Sequence, residues 1–173
     1  ILFASVDKAL AGLGLLVWTC RRCGSPPEWR TMLRETAPVL LLTVGVVLGL
    51  GVATHLIHWD PKWPVQAPAF LAVNLLFTCV AEEALFRGLI QTLLQARIRP
   101  AGSAWGSHLA PLAAALLFGL AHAGGGAAYV GLATLAGWGY GLVYQRSGRL
   151  EAAILLHFAL NALVFLTLDL RLG

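Results

Sequence analysis

Three short patterns place ionisable side chains inside otherwise apolar stretches. Ala-Glu-Glu-Ala-Leu-Phe-Arg-Gly carries Glu82, Glu83 and Arg87; Phe-Gly-Leu-Ala-His carries Phe118 and His122; His-Phe-Ala-Leu-Asn carries His157 and Asn161. On a helix, Glu83 and Arg87 share a face one turn apart with the acid first, the favourable order, and so neutralise each other. Glu82 is rotated by about 100° from Glu83, so Arg87 satisfies it less well and it can aim at another helix. His157 and Asn161 also share a face and offer a ring N–H and an amide N–H₂ to one point. A buried carboxylate beside an imidazole can hold a water and take its proton, leaving hydroxide to attack a carbonyl carbon. Two donors one turn apart can stabilise the oxyanion that results. Glu82 and His122 would then activate water, with His157 and Asn161 as the oxyanion hole. That chemistry is peptide-bond hydrolysis.

The same Glu82, His122 and His157 can alternatively ligate zinc as a His₂Glu site. The chain lacks the His-Glu-x-x-His spacing that would make zinc the first choice, so no metal is favoured and zinc stands as the alternative. His55, His58 and His108 fall at segment ends or in loops, where a structural role suffices. Thr78 lies one turn before Glu82, but no Ser-His-Asp or Ser-Lys arrangement occurs in the apolar segments. Cys20 and Cys23 form a single Cys-Arg-Arg-Cys without a second ligand pair; with Cys79 they read as ordinary thiols.

These groups need a scaffold, and composition dictates its class. Of 173 residues, 58% are apolar and 12% charged, with a mean hydropathy of +0.77. A soluble domain carries about a quarter charged residues. Too little polar surface remains here to cover a water-soluble particle. Soluble, disordered, collagen-like and coiled-coil classes are excluded, leaving an all-α, polytopic membrane helical bundle. The net charge of +4 resides in short clusters between apolar runs, not in a basic stripe interleaved with aromatics, so no nucleic-acid partner is expected.

Crossing about 30 Å of hydrocarbon takes roughly 20 helical residues. Six segments meet that ruler: 1–19, 37–57, 67–94, 107–123, 127–144 and 150–168. The first contains Asp7 and Lys8 and no small-residue cleavage site, which predicts a span and not a signal peptide. Gly124, Gly125 and Gly126 supply a tight turn between the fourth and fifth. Arg21, Arg22, Arg30, Arg34, Arg97, Arg99, Arg146 and Arg149 fall in alternate loops, against Lys62 and Arg171 on the other side. This asymmetry predicts a multi-pass protein of the cell (inner) membrane with both termini outside. Trp59 and Trp63 form an interfacial belt on the outer side. Counted from the inner ends of their segments, Glu82, His122, His157 and Asn161 lie about 18, 22, 10 and 16 Å deep. They can therefore converge in the membrane interior, towards the cytoplasmic half. Small residues at every fourth position (Gly45, Gly49, Ala53; Ala115, Gly119, Ala123; Ala133, Gly137, Gly141) predict close helix packing. No repeat or soluble domain is evident, and residues 1–173 read as one membrane-embedded domain.

Glu-Glu-x-x-x-Arg, Phe-x-x-x-His and His-x-x-x-Asn, in this order on successive membrane helices, resemble the family of CAAX prenyl endopeptidases and bacteriocin-processing enzymes, also called the abortive-infection family. The likeness covers roughly residues 74–166, and no motif position is substituted. It implies an intramembrane endopeptidase, usually described as glutamic-type although many members are called metalloproteases. The family's motif positions fall on Glu82, Glu83, Arg87, Phe118, His122, His157 and Asn161. Its substrates include prenylated CAAX tails, bacteriocin leaders and C-terminal sorting tails. The short length and the Ala, Gly, Leu and Arg usage resemble a bacterial member, acting on a membrane-associated protein or peptide tail within the lipid bilayer. Two rivals stand beside this reading. A non-catalytic bacteriocin-immunity protein of the same fold would not need the Glu82 side chain. A small transporter or proton relay would show broken helices related between two halves, and the sequence has no such symmetry.

Overall fold

The computed structural model describes residues 6–19, 21–98 and 106–170. Cys20, Arg99, Arg171 and the first five residues of the first predicted span lie outside the described residues. Among the described residues six helices form the body: α1 Val6–Thr19, α2 Pro26–Ala53, α3 Ala67–Arg97, α4 Leu109–Leu120, α5 Gly126–Ser147 and α6 Leu150–Thr167. Two prolines open α2, where a missing N–H costs nothing and the fixed φ suits the first turn. Gly148, at φ 63°, closes α5 with its N–H donating to the Tyr144 carbonyl.

By length and composition α2, α3 and α6 can each cross a membrane. The described part of α1 has 14 residues, which extends about 21 Å. The axes of α4 and α5 are bent by 58° at the break between them, where Gly126 takes φ 84°, a conformation that favours glycine. Helix α5 then packs back along α4. A Cβ added to Gly119 would lie 1.9 Å from Thr134 Oγ1, and one on Gly141 would lie 3.2 Å from Pro111 Cβ. The small-residue stripes of α4 and α5 thus serve close approach. The α2 stripe does not: Gly45 and Gly49 face nothing within 4 Å among the described residues. Instead Gly51 meets Ile57, and Gly139 of α5 meets Thr43, on another side of α2.

Two features have no counterpart in the apolar pattern. The predicted spans 37–57 and 150–168 end not in helix but in two strands, β1 Ile57–Trp59 and β2 Leu168–Leu170. These pair antiparallel, Ile57 opposite Leu170 and Trp59 opposite Leu168. Asp60 N–H to Thr167 O (2.9 Å) and Lys62 N–H to Leu166 O (2.8 Å) extend the ladder. The ribbon satisfies backbone groups that two helix ends would otherwise leave unpaired. Second, α3 is not uniformly α-helical: Asn74–Cys79 and Ala84–Gln91 are π-wound, on either side of Val80–Glu83.

At the end opposite the ribbon, Arg149 pairs with Glu28 at 2.9 Å and the Cys23 N–H donates to Glu151 at 2.8 Å. Thr92 of α3 and Tyr144 of α5 share a hydrogen bond of 3.0 Å. The basic loops are thereby gathered at one end of the bundle.

Candidate active site

Glu83 and Arg87 are both completely buried. Arg87 Nη1 donates to Glu83 Oε1 at 3.2 Å, while Nε lies 3.1 Å from Oε2 as an ionic contact. The guanidinium also donates from Nη2 to the Gly137 carbonyl of α5 at 2.7 Å and lies 4.7 Å from the Phe118 ring centre. That approach needs glycine: a Cβ on residue 137 would come within 3.0 Å of Arg87 Nη2. One turn further, Gln91 repeats the device, donating to the Gly141 carbonyl at 3.0 Å.

Glu83 does more than neutralise Arg87. Its Oε1 lies 2.8 Å from His157 Nδ1 on α6. An ionised carboxylate only accepts, so Nδ1 carries the proton. His157 Nε2 is then a lone pair in the neutral ring and a second donor in the imidazolium. The ring is fixed by stacking on Tyr140 at 4.8 Å and by the edge-on Phe118 at 5.7 Å. His122 lies 2.8 Å from the Phe118 carbonyl through Nδ1. A carbonyl only accepts as well, so His122 Nδ1 carries a proton, and in the neutral ring Nε2 is the acceptor.

Glu82 points away from this pair into a cavity of about 460 Å³, which His122, His157 and Asn161 also line. Its Oε2 is buried without a hydrogen-bond partner among the described residues. Asn161 Nδ2 donates to Asn74 Oδ1 at 3.4 Å, and the Cys79 thiol donates to the same oxygen at 3.3 Å. Asn74 and Cys79 are five residues apart and share a face because that stretch of α3 is π-wound.

All four groups expected to do chemistry therefore meet at one cavity, and Phe118 packs beside them. Tyr140, Asn74 and Tyr129, which also line it, were not singled out. Asn74 carried a signal, a polar side chain two turns before Glu82 in an apolar run; Tyr140 carried none. His55, His58 and His108 do not line the cavity. The sequence expectation puts the site in the membrane interior towards the cytoplasmic half; within the bundle the cavity lining runs from Glu82 towards the ribbon end. Its walls are the start of α3, the end of α6 and the start of α5, with Ile57 and Lys62 at the mouth. Zinc on Glu82, His122 and His157 stands as the alternative reading; as these side chains lie, no three His, Cys, Asp or Glu among the described residues are grouped to hold an ion.

Comparison with curated proteins and with solved structures gave no match. A family model described as type II CAAX prenyl endopeptidase Rce1-like matches residues 64–163, from just before α3 into the last turns of α6. That is more than half of the chain and contains every motif residue above, and the chain belongs to this family of CAAX-type intramembrane proteases.

Proposed function

We propose that the protein is a glutamic-type intramembrane endopeptidase cleaving a membrane-associated protein or peptide tail. The observation that carries this reading is the Glu82 carboxylate, its buried Oε2 without a partner, facing the cavity that His122, His157 and Asn161 line. A buried carboxylate oxygen lacking a partner is expensive unless something polar fills the space before it, and a water does so. His122 Nε2 accepts one hydrogen of that water, and Glu82 takes the other hydrogen as a proton. The resulting hydroxide adds to the scissile carbonyl carbon, and the carbonyl electrons move to oxygen. Asn161 Nδ2 and the imidazolium form of His157 donate to that oxyanion, with Glu83 holding the ring in place. The tetrahedral centre then collapses, the C–N bond breaks, and Glu82 returns its proton to the departing nitrogen. No step passes through a metal.

Apolar walls from Leu132, Ala133, Leu160 and Val164 suit an apolar side chain or lipid-like group next to the cleaved bond. A CAAX-like tail, a C-terminal sorting signal and a bacteriocin leader are the candidate classes that the family resemblance implies. The experiment is co-expression of the intact chain, or of its Glu82→Gln variant, with candidate tail-bearing proteins from the same genome. Cleavage that disappears in the variant supports the reading. Protection or binding that persists in the variant without any cleavage would favour a non-catalytic role.

A further inference from the structure

We propose that the Thr78 hydroxyl binds the main chain of the cleaved segment, within two residues of the bond that is attacked. The proposal deepens the endopeptidase reading and rests on it. Threonine hydroxyls inside helices commonly bond back to a carbonyl of the preceding turn. Thr36, Thr43 and Thr134 do so, donating to the carbonyls of Met32, Val39 and Val130 at 2.8 Å. Thr92, just after the second π-wound stretch, donates to the Arg87 carbonyl at 3.0 Å. Thr78 stands inside the first such stretch, Asn74–Cys79, and among the described residues its hydroxyl bonds to nothing. It is half-buried and lines the cavity between Asn74 and Glu82 on one face of α3. An uncommitted hydroxyl there is both a donor and an acceptor without a partner.

The segment itself supplies that partner. Within a helix each carbonyl is bonded to the N–H four residues on, so a bond open to attack belongs to an unwound stretch. Its peptide groups have lost their helical partners and are costly to leave unpaired in a membrane interior. Asn161 and His157 serve the carbonyl under attack. Leu132 of α5 and Leu160 and Val164 of α6 line the cavity with apolar surface, which can take side chains but not the flanking peptide groups. Asn74, the next polar side chain on this face of α3, already has its Oδ1 engaged by Asn161 and the Cys79 thiol. Thr78 is four residues before Glu82, about 6 Å along the helix. An extended chain covers that distance in two residues at about 3.3 Å each. The hydroxyl is therefore in register with a peptide group beside the scissile bond.

The test uses the full chain in lipid vesicles, with an end-blocked decapeptide of Leu and Ala carrying a fluorophore and a quencher as the probe. Its Kd is measured in the Glu82→Gln background, where no cleavage interferes; kcat and KM are measured with Glu82 intact. Thr78→Val removes the hydroxyl and keeps the shape, whereas Thr78→Ser keeps the hydroxyl. Thr78→Val should melt like its parent and weaken Kd and raise KM about fivefold, the worth of one net hydrogen bond. Thr78→Ser should recover most of that loss. An unchanged Kd in Thr78→Val would overturn the proposal, and the endopeptidase reading would stand if the chain with Glu82 intact still cuts the probe. Equal losses in Thr78→Val and Thr78→Ser, a loss confined to kcat, or no binding of the probe by any variant would overturn it as well. Hydroxyl-dependent binding of a probe that no variant cuts would leave the Thr78 contact standing and count against the endopeptidase reading.

Discussion

Glu83 serves two partners at once, Arg87 on its own helix and His157 on α6. Helical spacing pairs it with Arg87, and that pair exists, but spacing along one helix cannot reveal a partner on another. The contact with His157 at 2.8 Å makes Glu83 both counter-charge and orienting group. Replacing it with Gln leaves Arg87 buried and unpaired, which costs about 3–5 kcal/mol. Thermal unfolding of the purified Glu83→Gln variant should show that loss; a variant that melts like its parent would reduce Glu83 to a chemical role alone. Asn161 is different, since it faces the cavity and is half-buried. Asn161→Ala should lower kcat by about 10²–10³ with little change in KM, as expected for one lost oxyanion donor. Asn74 acts through Asn161, so Asn74→Ala should forfeit about 1 kcal/mol of hydrogen bonding, roughly fivefold in kcat. Equal losses in the two variants would move Asn74 into direct contact with substrate.

Among the elements, the lengths of the apolar runs identified each helix in order, and the three glycines located the α4–α5 turn. It could not reveal the π-wound stretches of α3, because a pattern read at 3.6 residues per turn does not register a residue paired five positions away. The Asn74–Cys79 contact went unseen for that reason. Nor did it reveal the ribbon, since Ile57 and Leu168 suit an apolar helix end as well as a strand. The stripes of small residues were legible as packing devices on α4 and α5, yet no pattern within α2 says that Gly45 and Gly49 lie on its open side. Close approach at Gly137 admits a direct test. A methyl there meets Arg87 Nη2 and Phe118 Cδ1 at 3.0 Å, so Gly137→Ala should destabilise by about 1–3 kcal/mol through overpacking. Thermal unfolding at constant detergent checks it, and an unchanged midpoint would show that the α3–α5 contact yields easily.

For the whole molecule, composition alone excluded a soluble protein, and the ordered motifs led to the family. What composition could not supply was the position of the cavity along the bundle, because depth counted along single helices ignores which half of the bundle is plugged. The sequence expectation of six spans with both termini outside predicts that reporter fusions after Arg30, Arg99 and Gly148 all read cytoplasmic. A periplasmic signal at any of them would break that topology.

The central claim is that the Glu82 carboxylate activates the attacking water and that no metal is required. It is tested most directly by single-turnover cleavage of a tail peptide by the purified protein in lipid vesicles, with metal content measured on the same sample before and after chelation. The account predicts that the chelated parent cleaves undiminished, while Glu82→Gln melts like the parent and loses about 10²–10⁴ in rate, the share of a general base. Stoichiometric zinc whose removal abolishes cleavage and whose return restores it, or full cleavage by Glu82→Gln, would contradict it.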